Sequence, residues 1–180
     1  MITKRTLVVL IVGLLAVGLL TSCGPGKLGT EKNPIVWVFV PSGETERVTA
    51  GAESVAEMLH DETGLYFDIK VATEYAGAIG AMCADPPEAH MASLATFAYV
   101  MAADRGCAEA AMLSVRYGSP TYNGQLFVRA DSGITDLSQL GGKTFCRPDP
   151  LSTSGWVIPS IMLKGAGVDP DIKVETGLFL

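Results

Sequence analysis

Residues Ile35–Val40 (IVWVFV) form an unbroken apolar run rich in β-branched and aromatic side chains, closed by Pro41-Ser42-Gly43. Strand side chains alternate between two faces, so a run that is apolar at every position is stable only where both faces are covered. This requirement constrains the chain most strongly. It calls for a mostly parallel sheet with helices on each side. The next segments fit. Thr45–Thr63 places Val48, Ala52, Val55, Ala56 and Leu59 at helical spacing, and Gly64 follows as a C-terminal cap. Tyr66–Ala72 reads as a second strand, and Tyr75–Ala84 as a short Ala/Gly-rich helix stopped by Pro86-Pro87. His90–Leu94 reads as a third strand and Thr96–Arg105 as a further helix. Strands alternating with helices give βαβ units and an α/β fold.

Beyond this point the texture changes. Ala110–Tyr117 and Gln125–Ala130 read as two more strands, with turns marked by Ser119-Pro120 and Asn123-Gly124. Asp131-Ser132-Gly133 is a turn, Thr135–Leu140 a short helix capped by Thr135, and Lys143–Arg147 a strand. A polar loop, Asp149 to Gly155, leads into an apolar helix over Trp156–Leu163, where Pro159 removes a backbone donor and predicts a bend. Something new begins at Ile172. The final apolar run, Gly177-Leu178-Phe179-Leu180, would leave a raw strand edge, so the second lobe is expected to be incomplete in this chain.

The N-terminus reads as an address. Lys4 and Arg5 precede the uncharged run Leu7–Leu20. That run is shorter than the roughly 20 residues of a bilayer span and has the length of a signal-peptide core. Leu20-Thr21-Ser22-Cys23 is similar to the bacterial lipobox, which predicts export and a lipid on Cys23 holding the chain to the outer face of a membrane. An ordinary secretory signal, or an N-terminal anchor with a chance cysteine, is the alternative. Expected organisation is therefore a signal peptide over 1–22, a tether over 23–34, a first lobe over 35–125 and a partial second lobe over 126–180.

With Lys4 and Arg5 set aside, eleven Lys and Arg face nineteen Asp and Glu, a net charge of −8. Without a basic run, nucleic-acid binding is not expected. Cys83, Cys107 and Cys146 lie in a chain bound for an oxidising compartment, so one structural disulfide is expected, its pairing open. Neither CxxC nor zinc-type spacing occurs, His60 and His90 read as structural, and no metal or cofactor is expected.

Ser152-Thr153-Ser154-Gly155 carries the chemistry. Three consecutive hydroxyl residues stand where a helix should begin. A helix start offers about four unpaired N–H groups and roughly half a positive charge, and hydroxyls add donors. Such a cradle suits a tetrahedral oxyanion and needs no arginine. Simple N-capping is the competing reading, since Ser and Thr favour that position. Covalent chemistry has little support. There is no GxSxG elbow around Ser154 with a fitting histidine, no Walker A loop and no GxGxxG.

The stretch Asp149-Pro150-Leu151-Ser152-Thr153-Ser154-Gly155, preceded by Gly133–Phe145 (GITDLSQLGGKTF), resembles the phosphonate/phosphite/phosphate-binding family of ABC-transporter substrate-binding lipoproteins. The similarity extends over Ile35–Pro41, Thr73–Ala76, Thr96–Tyr99 and Thr121–Val128. It implies a two-lobed type II periplasmic-binding-protein architecture with mostly parallel sheets, closing on a small oxyanion by hinge motion. It implies ligand-binding hydroxyls at Ser152, Thr153 and Ser154, pocket tyrosines at Tyr75 and Tyr122, and further contributions from Thr96 and Ser42. Tyr99, by contrast, reads as core, and Arg116 and Arg129 as solvated or ion-paired. The implied partners are an ABC permease and the membrane through the lipid on Cys23, with the protein acting as a monomer. A sulfonate or amino-acid binder is the alternative within this architecture, and a serine hydrolase the alternative outside it. A sensor would use the same clamp as a transporter feeder.

Overall fold

The computed structural model describes residues 26–170 and the backbone of residues 174–176. The expected signal peptide, Cys23 and the chain end at 177–180 lie outside the described residues. Among the described residues no helix is long and apolar enough to cross a membrane.

The first part of the chain alternates as expected: β1 (Ile35–Phe39), α1 (Thr45–Thr63), β2 (Phe67–Val71), α2 (Tyr75–Cys83), β3 (Met91–Ser93) and α3 (Thr96–Asp104). The three strands pair in parallel in the order β2-β1-β3, with Trp37 opposite both Ile69 and Met91. Parallel connections cross over in one hand, so stepping from β1 to β2 and then back past β1 to β3 puts α1 and α2 on opposite faces. That covers β1 twice, which explains its all-apolar sequence. On one face Val38 and Val40 join Tyr75, Ala78, Ile79, Ala98 and Ala102 in a single core. Ala78, Ala98 and Ala102 are fully buried, and their small side chains let α2 and α3 approach closely. On the other, Trp37 stacks near Phe39 and Phe67, and its indole N–H donates to Ser93 Oγ.

Helix α1 ends as its sequence predicts. Gly64 takes a left-handed conformation (φ 69°) that glycine adopts without strain, and its N–H donates to the His60 carbonyl. The histidines are structural: His60 Nδ1 pairs with the Leu65 carbonyl, and His90 Nδ1 accepts the N–H of Val36 in β1. The expected disulfide is Cys83–Cys107, with Cα atoms 5.1 Å apart, and it links the end of α2 to the segment after α3.

Two expected strands are absent. Residues 108–129 form no strand or helix; a single bridge joins Arg116 and Ser119. Met112, Leu113 and Val115 are exposed. The apolar pattern supplies side chains suited to a strand, but a strand also needs a neighbouring backbone, and none of the described strands lies alongside. Tyr117, read as a strand end, sits instead at positive φ (51°) in the Arg116–Ser119 turn.

The remainder builds a second, smaller core. Leu140, Leu163 and Val168 are buried together with Ile134 and Leu137 against them. The expected short helix is a tight turn over Leu137–Leu140, and its cap is Asp136 rather than Thr135. Asp136 Oδ1 accepts from Ser138 N–H while Gln139 Oε1 accepts the Thr135 and Asp136 N–H groups, so the cap is reciprocal. Strand β4 (Phe145–Arg147) pairs in parallel with β5 (Val174–Thr176). Between them α4 spans Ile158–Gly165, later than expected, and is preceded by a wide turn over Thr153–Val157 in which the Val157 N–H reaches back five residues to the Ser152 carbonyl. This shift accommodates Pro159. The Ile158 N–H likewise reaches back five residues, to the Thr153 carbonyl, so the irregularity falls just before the proline rather than at it.

Candidate functional site

The polar loop after β4 is held against the first sheet by two hydrogen bonds to helix starts. Asp149 Oδ2 accepts the Tyr75 N–H at 3.0 Å, at the start of α2. Thr153 Oγ1 accepts the Phe97 N–H at 2.8 Å, at the start of α3. Neither helix has a side-chain cap of its own, since Glu74 and Ala95 occupy the cap positions without bonding. Both helices begin at the C-terminal ends of parallel strands, where open α/β sheets bind their ligands.

Within the loop, Ser152 is the buried anchor. It is 8% exposed, its carbonyl accepts the Trp156 and Val157 N–H groups, and its Oγ accepts the Gly155 N–H at 3.3 Å. Only glycine fits at 155, because a Cβ there would run into the Pro148 ring and stand 2.9 Å from Ser152 Oγ. Internal packing therefore requires glycine at 155. Ser154 Oγ lies 3.1 Å from the Tyr122 hydroxyl, and Gly124 passes so near that a Cβ would stand 3.0 Å from the Ser154 carbonyl oxygen.

Tyr75 is buried, and burial is the main cause that pushes its phenol above the ordinary value; the Ser152 hydroxyl, hydrogen-bonded to it, pulls the other way, and Asp149 and Tyr122 add to the rise. The phenol is thus neutral at physiological pH and stands beside Ser152.

A cleft of about 420 Å³ opens beside this arrangement. Thr96, Tyr122, Thr153 and Ser154 line its polar side, and Ile158 and Met162 its apolar side; none of its lining residues is charged. The seven sequence-predicted positions therefore fall into three groups. Thr96, Tyr122, Thr153 and Ser154 share the cleft. Tyr75 and Ser152 pair next to it, and neither is among its lining residues. Ser42 is exposed in the turn after β1, its N–H donating to the Val40 carbonyl, away from the cleft lining. Arg129 pairs with Asp131 in the exposed connection, and Arg147 places its guanidinium 4.8 Å over the Trp156 ring. Among the described residues there is no cluster of three or more metal-ligating side chains.

Sequence reasoning missed the bond from Asp149 to α2. A signal existed: the residues before α2 and α3, Glu74 and Ala95, leave these helix starts uncapped, so an acceptor from elsewhere was needed.

A parallel sheet, helix starts at its C-terminal edge and a hydroxyl loop docked across them define a protein of the periplasmic-binding type. The family of periplasmic substrate-binding proteins of phosphonate ABC transporters matches residues 37–179, and the chain belongs to that family. It is 31% identical over 138 residues to the phosphate-import protein PhnD of Mycolicibacterium smegmatis, an alignment covering 74% of this chain and 42% of that protein. Its fold is similar to the crystal structure of a binding protein component of an ABC phosphonate transporter from Pseudomonas aeruginosa, with a TM-score of 0.64 and 22% identity. That match covers 80% of this chain and 50% of the other. The chain thus spans half or less of the length of these relatives.

Proposed function

We propose that the protein is an exported substrate-binding lipoprotein that captures a phosphonate, phosphite or phosphate and delivers it to an ABC permease. In this reading residues 1–22 are a signal peptide, Cys23 carries the lipid, and 23–34 tether the molecule to the outer face of the membrane. A lobe over 35–125 and a second beginning at 126 close on the ligand by hinge motion. No covalent step and no cofactor is involved, and the protein acts as a monomer.

One observation carries the reading: the hydroxyl of Thr153, which lines the cleft, already accepts the Phe97 N–H. A hydroxyl that accepts in this way keeps its own hydrogen for another partner, which is what an oxyanion requires. Ser154 is set beside Tyr122, and the N–H groups of Thr153 and Ser154 precede the first intrahelical bond of their turn. Oriented dipoles in a partly dry, uncharged cleft hold an anion without a cationic partner. Ser42, apart from the cleft, has the least support among the proposed contacts.

Calorimetry on the full-length protein tests this with methylphosphonate, phosphite, phosphate, sulfonates and amino acids. Saturable binding of one or more of the three phosphorus oxyanions, weakened by Ser154→Ala, is the expected result. Preference for a sulfonate or an amino acid overturns the ligand assignment. Ester hydrolysis abolished by Ser154→Ala overturns the transport reading altogether. Cys23→Ala is expected to abolish membrane attachment, and retained attachment would remove the lipid anchor from the proposal.

A further inference from the structure

Asp149 is not among the residues lining the cleft, yet it bonds the backbone of two of the candidate site residues, Tyr75 and Ser152. Its Oδ2 accepts the Tyr75 N–H at 3.0 Å, its Oδ1 the Leu151 N–H at 2.7 Å, and its carbonyl the Ser152 N–H at 2.9 Å. A carboxylate at the start of α2 satisfies a donor the helix leaves open and opposes the positive end of its dipole. The donor it fixes belongs to Tyr75, and the amide it holds through its own carbonyl belongs to Ser152. One residue therefore holds the backbone of both Tyr75 and Ser152, the first through its side chain and the second through its carbonyl. It also sets the base of the turn that carries Thr153 and Ser154, because the Ser152 carbonyl holds the Trp156 and Val157 N–H groups.

We propose that Asp149 is the positioning residue of the oxyanion site. Docked on α2, it keeps the hydroxyl loop in the form able to take a ligand. When it is undocked, only a fraction of molecules is competent, and the apparent affinity falls by that fraction. This role rests on the reading of the loop as an oxyanion site.

The test compares Asp149→Asn and Asp149→Ala in the full-length protein. Calorimetry with methylphosphonate, phosphite and phosphate is run alongside amide hydrogen exchange without ligand. Removing a hydrogen bond to a charged acceptor shifts an equilibrium by about tenfold to a hundredfold. Asn keeps one carbonyl acceptor, so affinity is expected to fall in the order Asp, Asn, Ala. Exchange at the Tyr75 and Leu151 amides is expected to accelerate while the β1 amides stay protected. If the Ala variant does not fold, the Asn variant carries the comparison. Affinities within about twofold of the parent, with a lower melting midpoint, would make Asp149 structural only and overturn the proposal. Unchanged exchange at both amides would overturn it as well. A parent that binds none of the three oxyanions overturns the proposed function and this role in binding together, and the exchange result then reports loop docking alone.

Discussion

Thr153 Oγ1 stands 2.8 Å from the backbone nitrogen of Phe97 and accepts its N–H, so a loop that follows β4 closes the start of a helix that follows β3. The residue expected to meet the ligand is thus also a fastening between the two parts of the chain.

Thr153→Val removes the acceptor for Phe97 and the hydroxyl hydrogen offered to a ligand, at nearly constant volume. Losing a cap at a helix start costs about 0.5–2 kcal/mol. A lower melting midpoint is expected, together with at least about tenfold weaker binding of the preferred oxyanion by calorimetry. Thr153→Ser keeps the oxygen and is expected to lie close to the parent in both.

At Gly155 a methyl group would meet the Pro148 ring and Ser152 Oγ. Neither neighbour can yield easily, one being a ring and the other a buried anchor. Gly155→Ala is expected to destabilise the fold by about 1–3 kcal/mol in denaturant titration, as overpacking of a tight site does. Gly124→Ala, whose added methyl would stand 3.3 Å from Ser154 Cβ and 3.0 Å from its carbonyl oxygen, is expected to cost less and to act mainly on the cleft.

The Cys83–Cys107 disulfide spans 24 positions. Chain-entropy reasoning gives a bridge of that length about 3.5 kcal/mol. Replacing both cysteines by alanine, or reducing the parent with dithiothreitol, is expected to lower the unfolding midpoint accordingly. An unchanged midpoint under reduction would show that the bridge contributes nothing.

Burial above all raises the Tyr75 phenol beyond its ordinary value of 10.0. In the unfolded chain the group ionises near that ordinary value, and in the folded chain only at higher pH. Its stabilising contribution is therefore whole below about pH 10 and is lost as pH climbs through the folded value. Unfolding monitored across this alkaline range should show a shallower decline for Tyr75→Phe than for the parent.

The sequence was informative where local pattern and packing agree. Thr45–Thr63 is a helix with the bounds its apolar spacing and Gly64 indicate, and β1 is a central strand because its run is apolar on both faces. Residues 110–117 and 125–130 have strand-like composition too, yet pairing depends on a second backbone, which no local pattern encodes. The cap of the 137–140 turn moved from Thr135 to Asp136 because Gln139 reaches back to both N–H groups, a choice decided by geometry over a span of four residues. At the site, the hydroxyls could be read from their succession, but their division between the cleft and the buried layer beside it could not. That depends on which helix start each one meets, 56 positions away for Thr153 and Phe97.

The bridge between Cys83 and Cys107 joins α2 and α3 at the ends away from Tyr75 and Phe97. The helices resemble the prongs of a tuning fork, welded at the handle. Asp149 and Thr153 each grip one tip, so the distance those two side chains must span is set by the weld and by the alanines between the prongs. A change at either cysteine, though remote from the cleft, would detune both grips at once.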